Sequence, residues 1–166
     1  MKMKELLKQY ATYHVWASQK LFDTILALPE EKYNVEVPSS FNSLYKTVLH
    51  MLDAESIWWQ RLKLSERIMI PSENFNGSMQ EVSSTLLSQS RLWEEWVANA
   101  SDLSLEHVFQ FRNRKNEQFK MPVYQMIHHV FNHGTYHRGQ LITMLRQLGV
   151  DKLPSTDFSA WVLNKK

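Results

Sequence analysis

Two histidines stand four residues apart in the segment His133-Gly-Thr-Tyr-His137, which continues as Arg138-Gly-Gln140. On an α-helix, residues at this spacing lie one turn above each other on the same face. Two imidazoles placed in this way can bind one metal ion through their ring nitrogens. A solvated helix face explains most histidine pairs of this kind, so the spacing alone does not establish a metal site.

The apolar pattern around the pair indicates which side of the helix it faces. When successive residues are rotated by about 100°, His133 and His137 fall within a stripe of apolar side chains. The apolar members of this stripe are Met126, Val130, Leu141, Met144 and Leu148. The pair is therefore predicted to face the protein core. His129 joins the same stripe, whereas His128 falls on the opposite side and is expected at the surface.

His129, His133 and His137 occupy three successive turns, and one ion cannot bind all three. The outer two are ~12 Å apart along the axis, because each residue rises by 1.5 Å. Periodicity therefore leaves two pairs open, 129 with 133 and 133 with 137. A site inside a helical bundle also needs a ligand from a facing helix.

Two histidines elsewhere in the chain are candidates for that further ligand. His50 lies among small and polar residues, a pattern that fits either a ligand facing a cavity or an exposed histidine. His14 lies on an apolar stripe, where a core histidine satisfied by one hydrogen bond is the simpler interpretation.

The elements that carry these residues are predicted to be long helices. The chain has only 4 glycines and 5 prolines, which favours helices over a turn-rich β fold. Apolar periodicity predicts helices over about 3–27, 42–64, 78–100 and 122–148. The third begins at the capping box Ser78-Met-Gln-Glu81, and Pro122 is expected to be the first residue of the fourth. Alternating residues at 107–111 and 118–121 predict a β-hairpin between these two helices.

Composition excludes several classes of protein. The net charge of +2 creates no strong field for nucleic acid or anionic membrane, and the basic run Arg112-Asn-Arg114-Lys115 is more typical of a solvated turn than of a DNA-binding surface. Cysteine is absent, so any metal site must use nitrogen and oxygen ligands. No apolar run approaches the ~20 residues of a membrane span, and no signal peptide is recognised. We therefore expect a single cytoplasmic domain over residues 1–166.

With these motifs in view, the chain resembles the DinB-like family of metal-binding four-helix-bundle proteins. The resemblance covers nearly the whole chain and rests on five segments: Tyr13-His-Val-Trp-Ala17, Ser40-Phe-Asn-Ser43, His50-x-x-Asp-Ala-Glu-x-x-Trp58, His129-Val-Phe-Asn-His-Gly-Thr-Tyr-His-Arg-Gly-Gln140 and Pro154-Ser-Thr-Asp-Phe158. It implies an all-α four-helix bundle of the up-down-down-up type, with the small hairpin between helices three and four.

The resemblance also implies a ligand set. In the family, one histidine of helix two and the spaced pair of helix four bind the metal, which corresponds here to His50, His133 and His137. His129 then becomes a core or outer neighbour of the site. His14 departs from the family, which more often has asparagine there, so a fourth nitrogen near the site stays open. The expected cofactor is a divalent ion, zinc or nickel first, with iron or manganese as alternatives.

A three-histidine site leaves a coordination position open, as catalytic sites do. Such a position can lower the pKa of bound water or hold a thiol as its thiolate. Related families on this bundle are thiol-dependent transferases and isomerases, and others resemble hydrolases. The leading hypothesis is an enzyme that activates a low-molecular-weight thiol or water against a small electrophilic substrate. The alternatives are a metal-dependent hydrolase and a non-catalytic metal-binding stress-response protein.

Three residues near the motifs are candidate helpers, namely Glu55, Tyr136 and Arg138. Glu55 points about 140° away from His50 on its helix, which suits a hydrogen bond better than a metal ligand. The adjacent Trp58 and Trp59 can both be buried only if their helix is covered on several sides. Together with the family resemblance, this predicts a homodimer.

Overall fold

The computed structural model describes residues 3–113 and 115–163. In chain order its elements are α1 (Met3–Leu26), α2 (Leu44–Leu62), α3 (Met79–Asn99), the short α4 (Asp102–Glu106), strands β1 (Val108–Arg112) and β2 (Gln118–Pro122), α5 (Val123–Gln147) and the short α6 (Phe158–Leu163). The two strands form an antiparallel hairpin. The four long helices and the hairpin confirm the predicted fold class, and α5 is the fourth long helix of the prediction.

Side-chain contacts between helices define their relative directions. Between α1 and α5, the contacting pairs are Tyr10–Phe131 and Ser18–Arg138. Between α2 and α5, they are Thr47–Met144 and Trp58–His129. Between α2 and α3, they are Tyr45–Gly77, just before α3 begins, and Trp59–Trp93. The residue numbers of successive pairs rise together between α1 and α5 and between α2 and α3, so these helices are parallel. Between α2 and α5 one number rises while the other falls, so these two are antiparallel. Thus α1 and α5 point one way and α2 and α3 the other, which is an up-down-down-up arrangement.

Helix ends follow the local sequence. Ser43 caps α2 by accepting a hydrogen bond from the backbone N–H of Lys46, and both bonds of the predicted capping box at Ser78 are present. Gly149, with φ of +85°, follows α5 in the left-handed conformation that glycine adopts without strain. The predicted helix ends agree with the structure to within two residues, and Pro122 is not the first residue of α5, since it pairs with Val108 in the hairpin and α5 begins at Val123.

The connection between α2 and α3 must run the length of the bundle, because these two helices are parallel. It is fixed along the outside of α2 by two side chains. The backbone N–H of Ser72 donates to Asp53 Oδ1 at 2.8 Å, and the Gln60 amide makes two hydrogen bonds with the backbone of Met69. Within the described residues, no helix is long and apolar enough to cross a membrane. Arg114, part of the basic run discussed above, lies outside the described residues.

A layer of buried polar residues crosses the middle of the bundle and separates two apolar clusters. The cluster at one end contains Leu21, Phe22, Val48, Met51, Leu86, Leu141 and Met144, and the cluster at the other end contains Leu7, Trp93, Val97, Met126, Ile127, Val130 and Phe131. Between them lie five polar residues, each no more than 3% exposed, which we call the polar layer: His14, Ser18, Glu55, Ser90 and Arg138. All four long helices contribute to it.

The two adjacent tryptophans of α2 are both half-buried, and the chain itself covers them. Trp59 packs edge-on against Trp93 of α3, with ring centroids 5.1 Å apart. Trp58 makes similar contacts with Phe111 of the hairpin and His129 of α5. Their packing therefore does not need a second copy of the chain, and the homodimer stays a prediction.

Candidate metal centre

Three histidine side chains from α2 and α5 converge on one point. His50 Nε2 lies 3.2 Å from His133 Nε2, and His137 Nε2 lies 3.0 Å from the same atom. One ring nitrogen from each of the three lies within 4.8 Å of those of the other two. His137 is buried, and His50 and His133 are half-buried at the interface between the two helices. The structure thus brings together His50, His133 and His137, the three residues that the family resemblance selected.

The spacing of these nitrogens fits a shared cation. Two nitrogens that are each about 2.1 Å from one ion lie about 3.0 Å apart at a right angle and about 3.4 Å apart at the tetrahedral angle. A network of neutral histidines explains the geometry less well, because each Nε2 carries either one proton or one lone pair. The Nε2 of His133 faces two nitrogens, and a single N–H can point along only one of these contacts. The three residues could therefore hold a metal ion.

Gln140 fixes the tautomer of His137. Its side-chain N–H₂ donates to the hydroxyl oxygens of Tyr136, at 3.1 Å, and Ser40, at 3.3 Å. These two bonds orient the amide so that its Oε1 accepts a hydrogen bond from His137 Nδ1, at 2.7 Å. Because Nδ1 carries the proton, Nε2 presents its lone pair to His133 and His50. Supporting bonds of this kind are typical of metal-binding histidines.

Burial keeps the imidazoles of α5 in the neutral form that can bind a metal. The pKa of His133 is lowered to about 3, mainly by burial and in addition by His137, His50 and other nearby histidines. Burial also lowers the pKa of His137, although its hydrogen bond with Gln140 acts in the opposite direction. At neutral pH, protons therefore do not compete for the lone pairs of these two side chains.

The segment before α2 covers His50. Phe41 stacks on the His50 ring with centroids 3.9 Å apart and meets the His137 ring edge-on at 5.8 Å. The Thr47 hydroxyl lies 3.2 Å from the carbonyl oxygen of Phe41, which ties this segment to the first turns of α2. Phe41 thus restricts the rotation of His50 and shields one side of the histidine group.

His14 and His129 lie outside the three-histidine group. Both ring nitrogens of His14 are engaged elsewhere, with Glu55 and Arg138, so His14 supplies no fourth nitrogen. His129 is exposed and lies 6.0 Å from His133 between ring centroids, so it is an outer neighbour and not a core residue. His128 is exposed, as the angular pattern predicted.

The three candidate helpers lie at different places relative to the histidine group. Glu55 points into the bundle, as predicted, where it accepts hydrogen bonds from His14 and Ser90. Arg138 is buried as well, and its guanidinium forms hydrogen bonds with His14, Ser18 and Thr135. Tyr136 is 59% exposed, and its ring lies 5.0 Å from that of His137, so it alone of the three helpers lies at the edge of the candidate site.

Sequence reasoning missed the roles of Gln140 and Phe41. Both stand in the segments that carry the family resemblance, but neither was assigned a contact. The signal for Gln140 was its position three residues after His137, where two helical side chains meet. Phe41 had no such signal, since its contact with His50 depends on the path of an irregular segment.

The three-histidine group predicts a specific effect of Gln140. Replacement by leucine removes the acceptor for His137 Nδ1, and we expect Zn²⁺ affinity to fall about 10- to 100-fold. Gln140→Glu keeps an acceptor at the same place and should retain affinity. The matched control is Gln147→Leu, an exposed position at the end of the same helix. Competition with a chromogenic chelator measures all four proteins. Equal affinities for the leucine variant at 140 and the wild type would contradict the role of the hydrogen bond.

Two glycines of α5 differ sharply in their surroundings. A Cβ at Gly134 would lie 2.4 Å from His14 Cε1, whereas a Cβ at Gly139 would meet no atom of the described residues within 4 Å. We expect Gly134→Ala to lower the free energy of unfolding by about 1–3 kcal/mol, because the His14 ring is held through both nitrogens and cannot move aside. Gly139→Ala should raise it by about 1 kcal/mol, the ordinary gain of alanine over glycine in a helix. Urea denaturation measures both, and equal stabilisation by the two substitutions would refute the close approach.

A four-helix bundle with a convergent three-histidine group defines the class of this protein, and the comparisons with known proteins give its family. The sequence model of the DinB family matches residues 1–162, and the chain belongs to that family. It is 29% identical over 163 residues to Protein DinB of Bacillus subtilis (strain 168), an alignment that covers 93% of this chain and 92% of that protein. The fold is similar to the crystal structure of a DinB-like protein from Bacillus cereus ATCC 10987, with a TM-score of 0.71, 21% identity and coverage of 91% of this chain and 95% of that one.

Proposed function

We propose that this protein binds a divalent metal ion through His50, His133 and His137 and uses it to activate a low-molecular-weight thiol or water against a small electrophilic substrate. The observation that carries the proposal is the convergence of three Nε2 atoms, with neighbours 3.0 and 3.2 Å apart. Three protein ligands leave room for a further ligand from solution. An ion held there would supply Lewis acidity, which lowers the pKa of the thiol or water that occupies this position.

The protein's own residues would bind the ion and orient the side chains that hold it. His50, His133 and His137 offer neutral nitrogens, Gln140 holds the proton of His137 at Nδ1, and Phe41 restricts His50. Nitrogen ligands suit zinc or nickel, with iron or manganese as alternatives. Which ion occupies such a site depends on metal availability as well as on geometry, and we place zinc and nickel first.

The nucleophile in this proposal comes from outside the chain. The sequence contains no cysteine, so a thiol must be a second small molecule. In the transfer, the sulfur forms a bond to the electrophilic carbon, and the leaving group departs with the electron pair of the broken bond. The thiol proton goes to solvent. In the hydrolytic alternative, water takes the place of the thiol.

A panel of reactions distinguishes the three hypotheses for the site, namely a thiol transferase, a hydrolase and a non-catalytic metal-binding protein. Protein loaded with Zn²⁺ or Ni²⁺ is assayed with cysteine or glutathione as the thiol and 1-chloro-2,4-dinitrobenzene or monobromobimane as the electrophile, and with 4-nitrophenyl acetate alone. Thiol-dependent turnover that His133→Ala removes supports the transferase. Turnover of the ester without a thiol supports the hydrolase. Metal binding with no turnover in either arm favours the non-catalytic metal-binding protein and contradicts the enzymatic proposal.

The expected partners are part of the same proposal. They are a small-molecule substrate, the thiol and a second copy of the chain, with no nucleic acid and no membrane. Light scattering at micromolar concentration tests the homodimer, and a monomeric mass would contradict it. The cytoplasmic location likewise stays a prediction.

A further inference from the structure

The polar layer contains a series of hydrogen bonds in which the donor and acceptor of each bond, and the charge of each side chain, are defined. An Nη1 proton of Arg138 is donated to His14 Nδ1 at 3.0 Å, because arginine has no acceptor. Nδ1 therefore carries the lone pair, and Nε2 carries the proton of a neutral His14. That proton is donated to Glu55 Oε1 at 2.8 Å, and the other carboxylate oxygen accepts from the Ser90 hydroxyl at 2.8 Å. The chain thus runs from one buried cation through a neutral imidazole to one buried anion.

The protonation of His14 agrees with this geometry. Burial lowers the pKa of His14, and the Arg138 guanidinium lowers it as well, while Glu55 acts in the opposite direction. The single positive charge of the layer accordingly belongs to Arg138. The second terminal nitrogen of Arg138, Nη2, donates to the Thr135 hydroxyl at 2.8 Å, so both terminal nitrogens of the guanidinium form hydrogen bonds.

This chain of bonds joins the two helices that carry the candidate metal ligands. Arg138 follows His137 directly on α5, and Glu55 lies five residues after His50 on α2, about 8 Å along the axis. His14 of α1 bridges them from inside the bundle. The three-histidine group joins the same two helices nearer their surface. Any axial slip of α2 against α5 would therefore change both the distances within the histidine group and the hydrogen bonds of the layer.

The layer resists such slip because its members are buried and joined by directional hydrogen bonds. His14 is fully buried, and its Cε1 lies against the backbone of α5 at Gly134. A shift of either helix would break the hydrogen bond between Arg138 and His14 or the one between His14 and Glu55, and the loss of such a bond to a buried charge is unfavourable. The contacts within the apolar clusters on both sides, by contrast, have no direction and specify the axial register less strictly.

We infer that the polar layer is a positioning element for the histidine group: the Arg138–His14–Glu55 chain sets the register of α2 against α5 and thereby holds His50 at binding distance from His133 and His137. This inference rests on the proposed metal function and gives His14, Glu55 and Arg138 a role as positioning residues. None of them belongs to the three-histidine group. Their effect on the site is transmitted through the two helices.

The test compares two substitutions of His14. His14→Leu removes both the donor to Glu55 and the acceptor for Arg138, whereas His14→Gln keeps one donor and one acceptor about as far apart as the two nitrogens of an imidazole. We expect His14→Leu to weaken Zn²⁺ binding about 10-fold, in the range found for outer partners of metal ligands, and to change the visible spectrum of the Co²⁺ complex. His14→Gln should restore most of the affinity and the wild-type spectrum.

A control separates positioning from general loss of stability. Ile25→Ala creates a cavity in the apolar cluster near the end of α1, away from the polar layer, and lowers stability with no direct effect on the histidines. It should leave Zn²⁺ affinity and the Co²⁺ spectrum unchanged. If folded His14→Leu also binds Zn²⁺ with wild-type affinity and an unchanged spectrum, the inference is overturned.

Two further arms cover the remaining outcomes. If His14→Leu does not fold, Ser90→Ala is compared with Ser83→Ala, a buried serine of the same helix whose Oγ has no hydrogen-bond partner among the described residues. A few-fold loss of affinity in Ser90→Ala alone supports the inference, and equal affinities overturn it.

If the wild type binds no Zn²⁺, the proposed function fails. The imidazole ¹⁵N signals of the metal-free protein then decide. A change at His50, His133 and His137 in the His14 or Ser90 variant but not in its control supports the inference, and unchanged signals overturn it.

Discussion

Zn²⁺ binding at neutral pH is expected to disappear when His133 is replaced by alanine. His133 is central to the group, since its Nε2 lies 3.2 Å from His50 Nε2 and 3.0 Å from His137 Nε2. Without it, two nitrogens on different helices remain, and they cannot hold the ion with comparable strength. The loss should exceed the roughly 100-fold that follows removal of a mere supporting hydrogen bond. Isothermal titration with Zn²⁺ measures the change.

The matched control is His129→Ala. His129 lies one turn before His133 on the same helix, but it is exposed and outside the three-histidine group. It should bind Zn²⁺ as the wild type does. A thermal shift gives an independent reading, because an ion that binds only the folded protein stabilises it by about 2.7 kcal/mol at 100 times the dissociation constant. The wild type and His129→Ala should gain this stability, and His133→Ala should not. Retained stoichiometric binding in His133→Ala would rule out the ligand set.

The second large effect concerns stability and the buried charge of Arg138. Replacement of Arg138 by leucine should lower the free energy of unfolding by about 3–5 kcal/mol, because it leaves the Glu55 carboxylate buried without its compensating charge. For a domain of this size, that corresponds to a fall of roughly 6–20 °C in the melting temperature. The side chain is only 2% exposed, so solvent cannot replace it. Circular dichroism during heating and urea titration measure the loss.

Two comparisons define the origin of that loss. Arg146→Leu removes an exposed arginine from the last turn of the same helix and should change stability by less than about 0.5 kcal/mol. The double variant Arg138→Leu/Glu55→Leu removes both charges and should be more stable than the sum of the two single losses implies. Additive losses would mean that the two charges do not interact through His14.

Helical periodicity predicted much of this architecture because α5 has one strongly apolar face. The stripe that placed His133 and His137 with Met126 and Leu141 is confirmed, and both apolar residues are buried. Periodicity did not choose between the two histidine pairs, because His129 lies at the edge of the stripe. There its ring packs against Trp58 of α2 and remains exposed. Only the family resemblance selected the pair that the structure brings beside His50.

The partners of the buried polar residues could not be predicted in the same way. The direction of Glu55 followed from its angle to His50, but its contact with His14 depends on how far α1 and α2 are shifted along each other. That shift is a property of the assembled bundle, and a repeating apolar pattern does not encode it. The helix Asp102–Glu106 was missed for a different reason, since five residues are too short to show a period.

X-ray absorption at the zinc edge of the Zn²⁺-loaded protein, purified without a histidine tag, tests the central claim most directly. We expect three nitrogen ligands at about 2.0–2.1 Å with the outer scattering pattern of three imidazole rings, and the loss of one ring in His50→Ala. A spectrum dominated by oxygen ligands, or one that His50→Ala leaves unchanged, would contradict a metal centre built from His50, His133 and His137.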